Sequence, residues 1–132
     1  MALVGVITNE GKRNLLNVAF GLGGNAFTKM AFGKGSEAPV AESTGLNAEC
    51  SIEDGNYSRV DLVSIQDEVE FMIKSEGVLP TTNITNSTII KEIGIVDRDT
   101  LGEGVFWCIC QVDDTEKDSS KQVKFTIYSI ML

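Results

Sequence analysis

The chain has 132 residues and a formal charge of −8, from 11 Lys and Arg against 19 Asp and Glu. That length is one domain, able to bury about two thirds of its unfolded surface without disulfide or metal staples. The charge comes with no basic cluster and repels phosphate backbones and anionic lipid, so neither nucleic acid nor membrane is expected as a partner.

Residues 3–7 predict a short first strand. Thr8 and Asn9 then cap a helix whose first turn carries Glu10. Leu15, Leu16, Ala19 and Phe20 recur at helical spacing as its apolar face, and the glycines between 21 and 24 stop it. Residues 27–32 alternate as a second strand. A glycine-, proline- and serine-containing stretch at 33–47 follows. Its Gly33-Lys34-Gly35 opens no helix and lacks the spacing of a phosphate-binding loop, so it reads as a surface loop.

Residues 48–52 predict a strand, 53–56 a turn, and 57–65 another strand. Val69, Phe71 and Ile73 alternate with Glu70, Met72 and Lys74 and predict a half-buried strand, reached through a hairpin at 66–68. Residues 75–87 hold Gly77, Pro80 and several Thr and Asn, and read as a loop. The stretch from Ile89 to Asp97 is rich in β-branched residues on both faces and predicts a central strand. Gly94 inside it calls for a bulge or a bulky neighbour over its backbone. A turn at 97–104 leads into a strand at 105–112, which completes a central hairpin. Residues 113–120 are acidic and expected to be exposed, and Val123, Phe125 and Ile127 form one face of a last strand. That strand reaches the end of the sequence, so a complete module is expected.

These elements predict a mainly β fold, an antiparallel β-sandwich of seven to eight strands with one N-terminal α-helix, as a single domain over residues 1–132. No histidine is present, which removes Ser–His and Cys–His nucleophile pairs. Cys50, Cys108 and Cys110 are too few for zinc and odd in number, and are expected as buried free thiols in a reducing compartment, with Cys108 and Cys110 on one face of their strand. The N-terminal apolar run lacks a basic flank and is no signal peptide. The Asn-x-Ser/Thr patterns at Asn56, Asn83 and Asn86 read as turn composition. Acidic pairs at Asp67-Glu68, Asp97/Asp99 and Asp113-Asp114 sit in turns, and the calcium-loop start at Asp97 lacks its later Gly and Glu. The reading is therefore of a non-enzyme with no catalytic, cofactor-binding or metal-ligating residues.

Several ordered motifs resemble a known family. They are Ile7-Thr8-Asn9-Glu10-Gly11 with Leu15-Leu16, Ala31-Phe32-Gly33-Lys34-Gly35 with Ala38-Pro39, and Gly55-Asn56-Tyr57-Ser58-Arg59. Ile90-Lys91-Glu92-Ile93-Gly94-Ile95-Val96-Asp97 and Val123-Lys124-Phe125-Thr126-Ile127 complete the series. In that order they resemble the N-terminal module of phage tail-fibre and tail-collar proteins, with Val96 where the family carries Phe. The resemblance implies a virion tail protein, assembled in the host cytoplasm, that joins fibres to the baseplate or collar. It also implies a homo-oligomer, trimer or hexamer, and it rests on Thr8, Asn9, Gly11, Gly33, Gly35, Tyr57, Arg59, Glu92, Gly94 and Asp97. Family members continue into a long fibre where this chain stops, which points to an adaptor.

Candidate contact regions are residues 33–47 with Lys34 and Pro39, residues 75–87 with Pro80, and the apolar residues 2–7. Glu92 is expected either in an ion pair with Lys91 or in solvent. The alternatives are a carbohydrate-binding module using exposed aromatics such as Tyr57, with Trp107 assigned to core packing, and a capsid decoration protein.

Overall fold

The computed structural model describes residues 3–57, 59–67 and 71–130. Its elements in order are β1 (Gly5–Ile7), α1 (Asn9–Ala19), β2 (Lys29–Gly33), a 3-10 turn (Ile52–Asp54), β3 (Arg59–Asp67), β4 (Met72–Leu79), β5 (Thr88–Val96), β6 (Phe106–Lys117) and β7 (Val123–Ile130). The strands pair antiparallel in the order β1-β6-β5-β2-β3-β4-β7. Among the described residues the fold is mainly β, as the sequence predicts, with seven antiparallel strands and one N-terminal helix, and the sheet is curled into a half-barrel.

Curling brings the two ends of the sheet onto one core. Met30, Phe32, Ile93, Ile95 and Cys108 on one side meet Leu79, Phe125 and Ile127 on the other, with Phe32 and Phe125 at 5.6 Å between ring centroids. Each such side chain stabilises the fold by about 2 kcal/mol through burial. A second, smaller cluster of Ala31, Val96, Phe106 and Ile109 lies on the opposite face of β2, β5 and β6, where Leu46 packs on it.

The central hairpin forms as the sequence predicts, β5 pairing β6 over most of its length, with irregularities beside Lys91 and between Ile95 and Val96. The helix also starts and stops as predicted. Thr8 caps it by accepting a hydrogen bond from the Gly11 N–H at 2.9 Å. The helix face, however, differs from the expected one. Its buried residues are Gly11 and Asn14, while Leu16 and Phe20 are exposed, Phe20 by 74%.

Four strand assignments shift. The 48–52 segment contributes one bridge, Glu49 to Gly33, before the 3-10 turn. The β4 strand runs through residues 75–79, where the sequence suggests a loop, because its inward positions are Ser75 and Gly77. A Cβ at Gly77 would lie 2.6 Å from Met30 Sδ, so a core methionine takes the space of a side chain. Phe71 is 80% exposed and Ile73 39% exposed, contrary to the predicted buried face; Glu68, Val69 and Glu70 lie outside the described residues, as do Ala2 and Ser58. Finally, β6 extends through the acidic stretch to Lys117, which is fully buried.

Among the described residues, no helix is long and apolar enough to cross a membrane.

Candidate functional site

The motif residues converge on two neighbouring nodes. The first is Glu92. It lies in a strand apolar on both faces and is buried, yet among the described residues no cation pairs with it. Its Oε2 accepts the N–H groups of Gly35 and Ala48, each at 2.8 Å, and its Oε1 accepts that of Asn47 at 2.7 Å. Both sequence expectations for Glu92, an ion pair with Lys91 and solvent exposure, are thereby corrected.

The carboxylate supplies the main-chain partners that a loop crossing a sheet face otherwise lacks. It also explains the Gly-Lys-Gly motif. A Cβ at Gly33 or at Gly35 would come within 2.5 Å of Glu92 side-chain atoms. The glycines therefore make room for the acid, and the 33–47 segment is fastened down.

The second node is Phe106. The Thr8 hydroxyl donates to its carbonyl, and the Gly11 backbone packs against the main chain of Phe106 and Trp107. A Cβ at Gly94 would lie 2.7 Å from the Phe106 ring, the bulky neighbour that the sequence calls for. Arg59 covers the ring from above, its guanidinium carbon 5.6 Å from the centroid. The same guanidinium forms a bidentate pair with Glu49 at 2.7 and 2.9 Å and donates to the carbonyls of Arg98 and Glu103. Asp97 accepts the Val105 N–H at 2.8 Å, which closes the turn between β5 and β6. Asn9 joins this region through its N–H to the Ala41 carbonyl at 2.8 Å.

The remaining predicted positions lie apart. Lys34 is exposed and pairs with Asp54 at 3.0 Å, which raises the ammonium value. Burial pushes the Asp54 carboxyl up, but the hydrogen bonds from Lys34 and Ser51 outweigh it, and the net value is lowered. Pro39 borders a depression of about 250 Å³ beside Glu92. Tyr57 and Pro80 instead share a groove of about 780 Å³ with Asn56, Asn83, Asp99 and Leu101. Tyr57 is 71% exposed there. Residues 5–7 are occupied in pairing with β6, while Leu3 and Val4 are exposed.

Two features had no signal in the sequence. Lys117 donates its ammonium to the carbonyls of Asn83 at 2.7 Å and Asp118 at 2.6 Å, and more distantly to that of Ile84. Ile84 has a left-handed backbone, φ 51°, and this clamp holds it. Burial lowers the Lys117 value. The other feature is an apolar opening of about 460 Å³ at the mouth of the half-barrel, between α1 and the sheet, lined by Leu15, Val18, Phe27, Phe71, Ile73 and Trp107. Trp107 is half-buried, packs against Phe27 with ring centroids 5.6 Å apart and planes tilted by 41°, and donates its indole N–H to Ser129 Oγ at 3.0 Å.

The cysteines are free thiols. Burial pushes Cys50 up to about 12, and the hydrogen bond shared with Cys110, together with burial, raises Cys108. Among the described residues no group of three or more His, Cys, Asp or Glu is placed to hold a metal ion.

The outer face of the β3-β4-β7 half is of a different kind. Register puts Ile65, Lys74 and Tyr128 in one row and Val63, Glu76 and Thr126 in the next. Val63, Ile65, Tyr128 and Ile130 are all exposed, around a Lys74–Glu76 pair at 3.1 Å. No known family, characterised protein or solved structure matches the chain.

Proposed function

We propose that the protein is a virion structural component, a tail or collar subunit that joins fibres to the baseplate by protein–protein assembly. One observation carries the reading. Apart from the exposed Tyr57, the residues of the tail-module resemblance are spent on internal scaffolding, around Glu92 and Phe106, while large apolar side chains stay exposed on the β3-β4-β7 half and around α1. Buried polar groups that satisfy one another give a rigid body, and clustered exposed apolar side chains mark surfaces that neighbours cover. Partners of this kind are other tail proteins and further copies of the chain.

Immunogold electron microscopy with antiserum to the purified protein, on particles sedimented from a lysate, tests this. Gold at the tail end or collar is the expected result. Gold over the head moves the protein to capsid decoration, and absence of gold from every particle sinks both structural readings.

The groove at Tyr57 favours a second reading, a carbohydrate-binding module. An exposed aromatic ring beside Asn56, Asn83 and Asp99 offers a stacking surface with hydrogen-bonding groups at its edge. Glycan-array binding that Tyr57→Ala abolishes would promote it.

A further inference from the structure

The two edges of the sheet are unequal. At one end β1 is three residues long. At the other, β7 pairs with β4 over eight consecutive positions with no shift of register, and among the described residues no strand or loop main chain pairs with its far side. Residues 123–130 contain no proline and one charge, Lys124. Alternate residues along such a strand direct N–H and C=O outward, a template for another strand unless it is blunted.

The side chains of this edge fit a particular partner. Val123, Phe125, Ile127 and Ser129 point to the core face, and Lys124, Thr126 and Tyr128 to the outer face. An antiparallel pairing of β7 with a second β7, centred on Thr126, sets Thr126 against itself and Lys124 against Tyr128 twice. It also sets Phe125 against Ile127 twice and Val123 against Ser129 twice. Thr–Thr and aromatic–β-branched pairs are among the favourable cross-strand pairs, and no like charges face each other. Lys124 does not protect this edge, because it meets a tyrosine ring.

Shifting the centre by one residue, to Ile127, loses the match by placing Lys124 against Ile130 and Phe125 against Ser129. The seam is also spared the chain's acidity. The charged side chains beside it are Lys74, Glu76 and Lys124, and Glu76 is held in its charged form by Lys74 and Lys124.

We infer that β7 is a homotypic docking edge, and that a second copy of this chain pairs with it antiparallel about a two-fold axis at Thr126, joining two half-barrels through one continuous sheet. The inference rests on the assembly reading above, but it is read in solution, so its failure leaves location on the particle to be decided separately. A two-fold contact of this kind builds dimers, or hexamers with dihedral symmetry, and has no place in a cyclic trimer.

Sedimentation equilibrium of the full chain provides the test, at concentrations up to roughly 1 mM, where even weak pairs associate. An even-numbered species is expected. Thr126→Lys and Thr126→Glu each place like charges on the axis and should weaken association at least about tenfold. Mixing the two variants one to one should restore it. Thr126 is half-buried on the outer face, so circular dichroism of each variant checks that it folds.

A second variant keeps the test decisive if these fail to fold. Oxidised Thr126→Cys should cross-link to its own copy, since opposed strand positions lie within disulfide reach, while Lys124→Cys should not. A wild-type monomer at the highest concentration, a trimer, or cross-linking at 124 in preference to 126 overturns the inference.

Discussion

The two halves of the half-barrel follow opposite rules. Around β2, β5 and β6, main-chain groups and charges are answered from within. Glu92 takes three N–H groups, Arg59 takes two carbonyls and a carboxylate, and Thr8 links helix to strand. Around β3, β4 and β7 the inward side chains include the Ser64–Ser75 hydrogen bond beside Leu79, Phe125 and Ile127, and the outward ones include Val63, Ile65 and Tyr128. Internally satisfied polar groups and a row of exposed apolar side chains are thus set apart within one sheet.

That contrast can be broken most sharply at Glu92. Replacing Glu92 by Ala leaves three main-chain N–H groups without an acceptor, and chemical denaturation should show a loss of about 3 kcal/mol or more. Gly94→Ala drives a methyl into the Phe106 ring and should cost about 1–3 kcal/mol. The double variant with Phe106→Leu should recover part of that loss, which a mutant cycle measures as coupling.

Acid should act on the same half, more mildly. The folded-state value of Asp54 lies below the ordinary 3.8, so the folded form takes up this proton less readily than the unfolded one. Its contribution is complete above about pH 4 and fades as pH falls through the lowered value. Asp54→Asn should therefore flatten the acid limb of a stability–pH curve. The smallest effect is expected on the other half: Ile65→Ser, on the exposed outer face, should change stability by no more than about 0.5 kcal/mol. A larger loss would mean that this half also supports the monomer.

What the sequence revealed follows from which residues speak locally. Thr8 and Asn9 mark a helix start because a cap acts within one turn. The β5–β6 hairpin shows through its β-branched runs, and Gly94 declares a crowded backbone because a glycine in such a strand needs a cause. The partners of Glu92 are 44 to 57 residues away in sequence, so neither its burial nor its role has a local signal. Likewise Lys117 sits in an acidic run that reads as surface, and only the distant Asn83 and Ile84 carbonyls account for its burial. The inner face of β4 reads as a loop because Ser75 and Gly77 stand there, and Gly77 yields its space to Met30, a decision made in tertiary packing.

The pairing of β1 with β6 also dictates an order of events. Gly5 finds its neighbour at Cys110, and Thr8 its acceptor at Phe106, so β1 and the start of α1 wait for partners far downstream, 98 positions away for Thr8. During translation the Thr8 cap and the Gly11 backbone lack their partners at Phe106 and Trp107 until β6 leaves the ribosome. Closing so long a loop delays the rewarding contacts, which places folding among the slow, non-local topologies, at about milliseconds to seconds. The unfinished chain is then the state in which its exposed apolar strands are most open to the wrong neighbour.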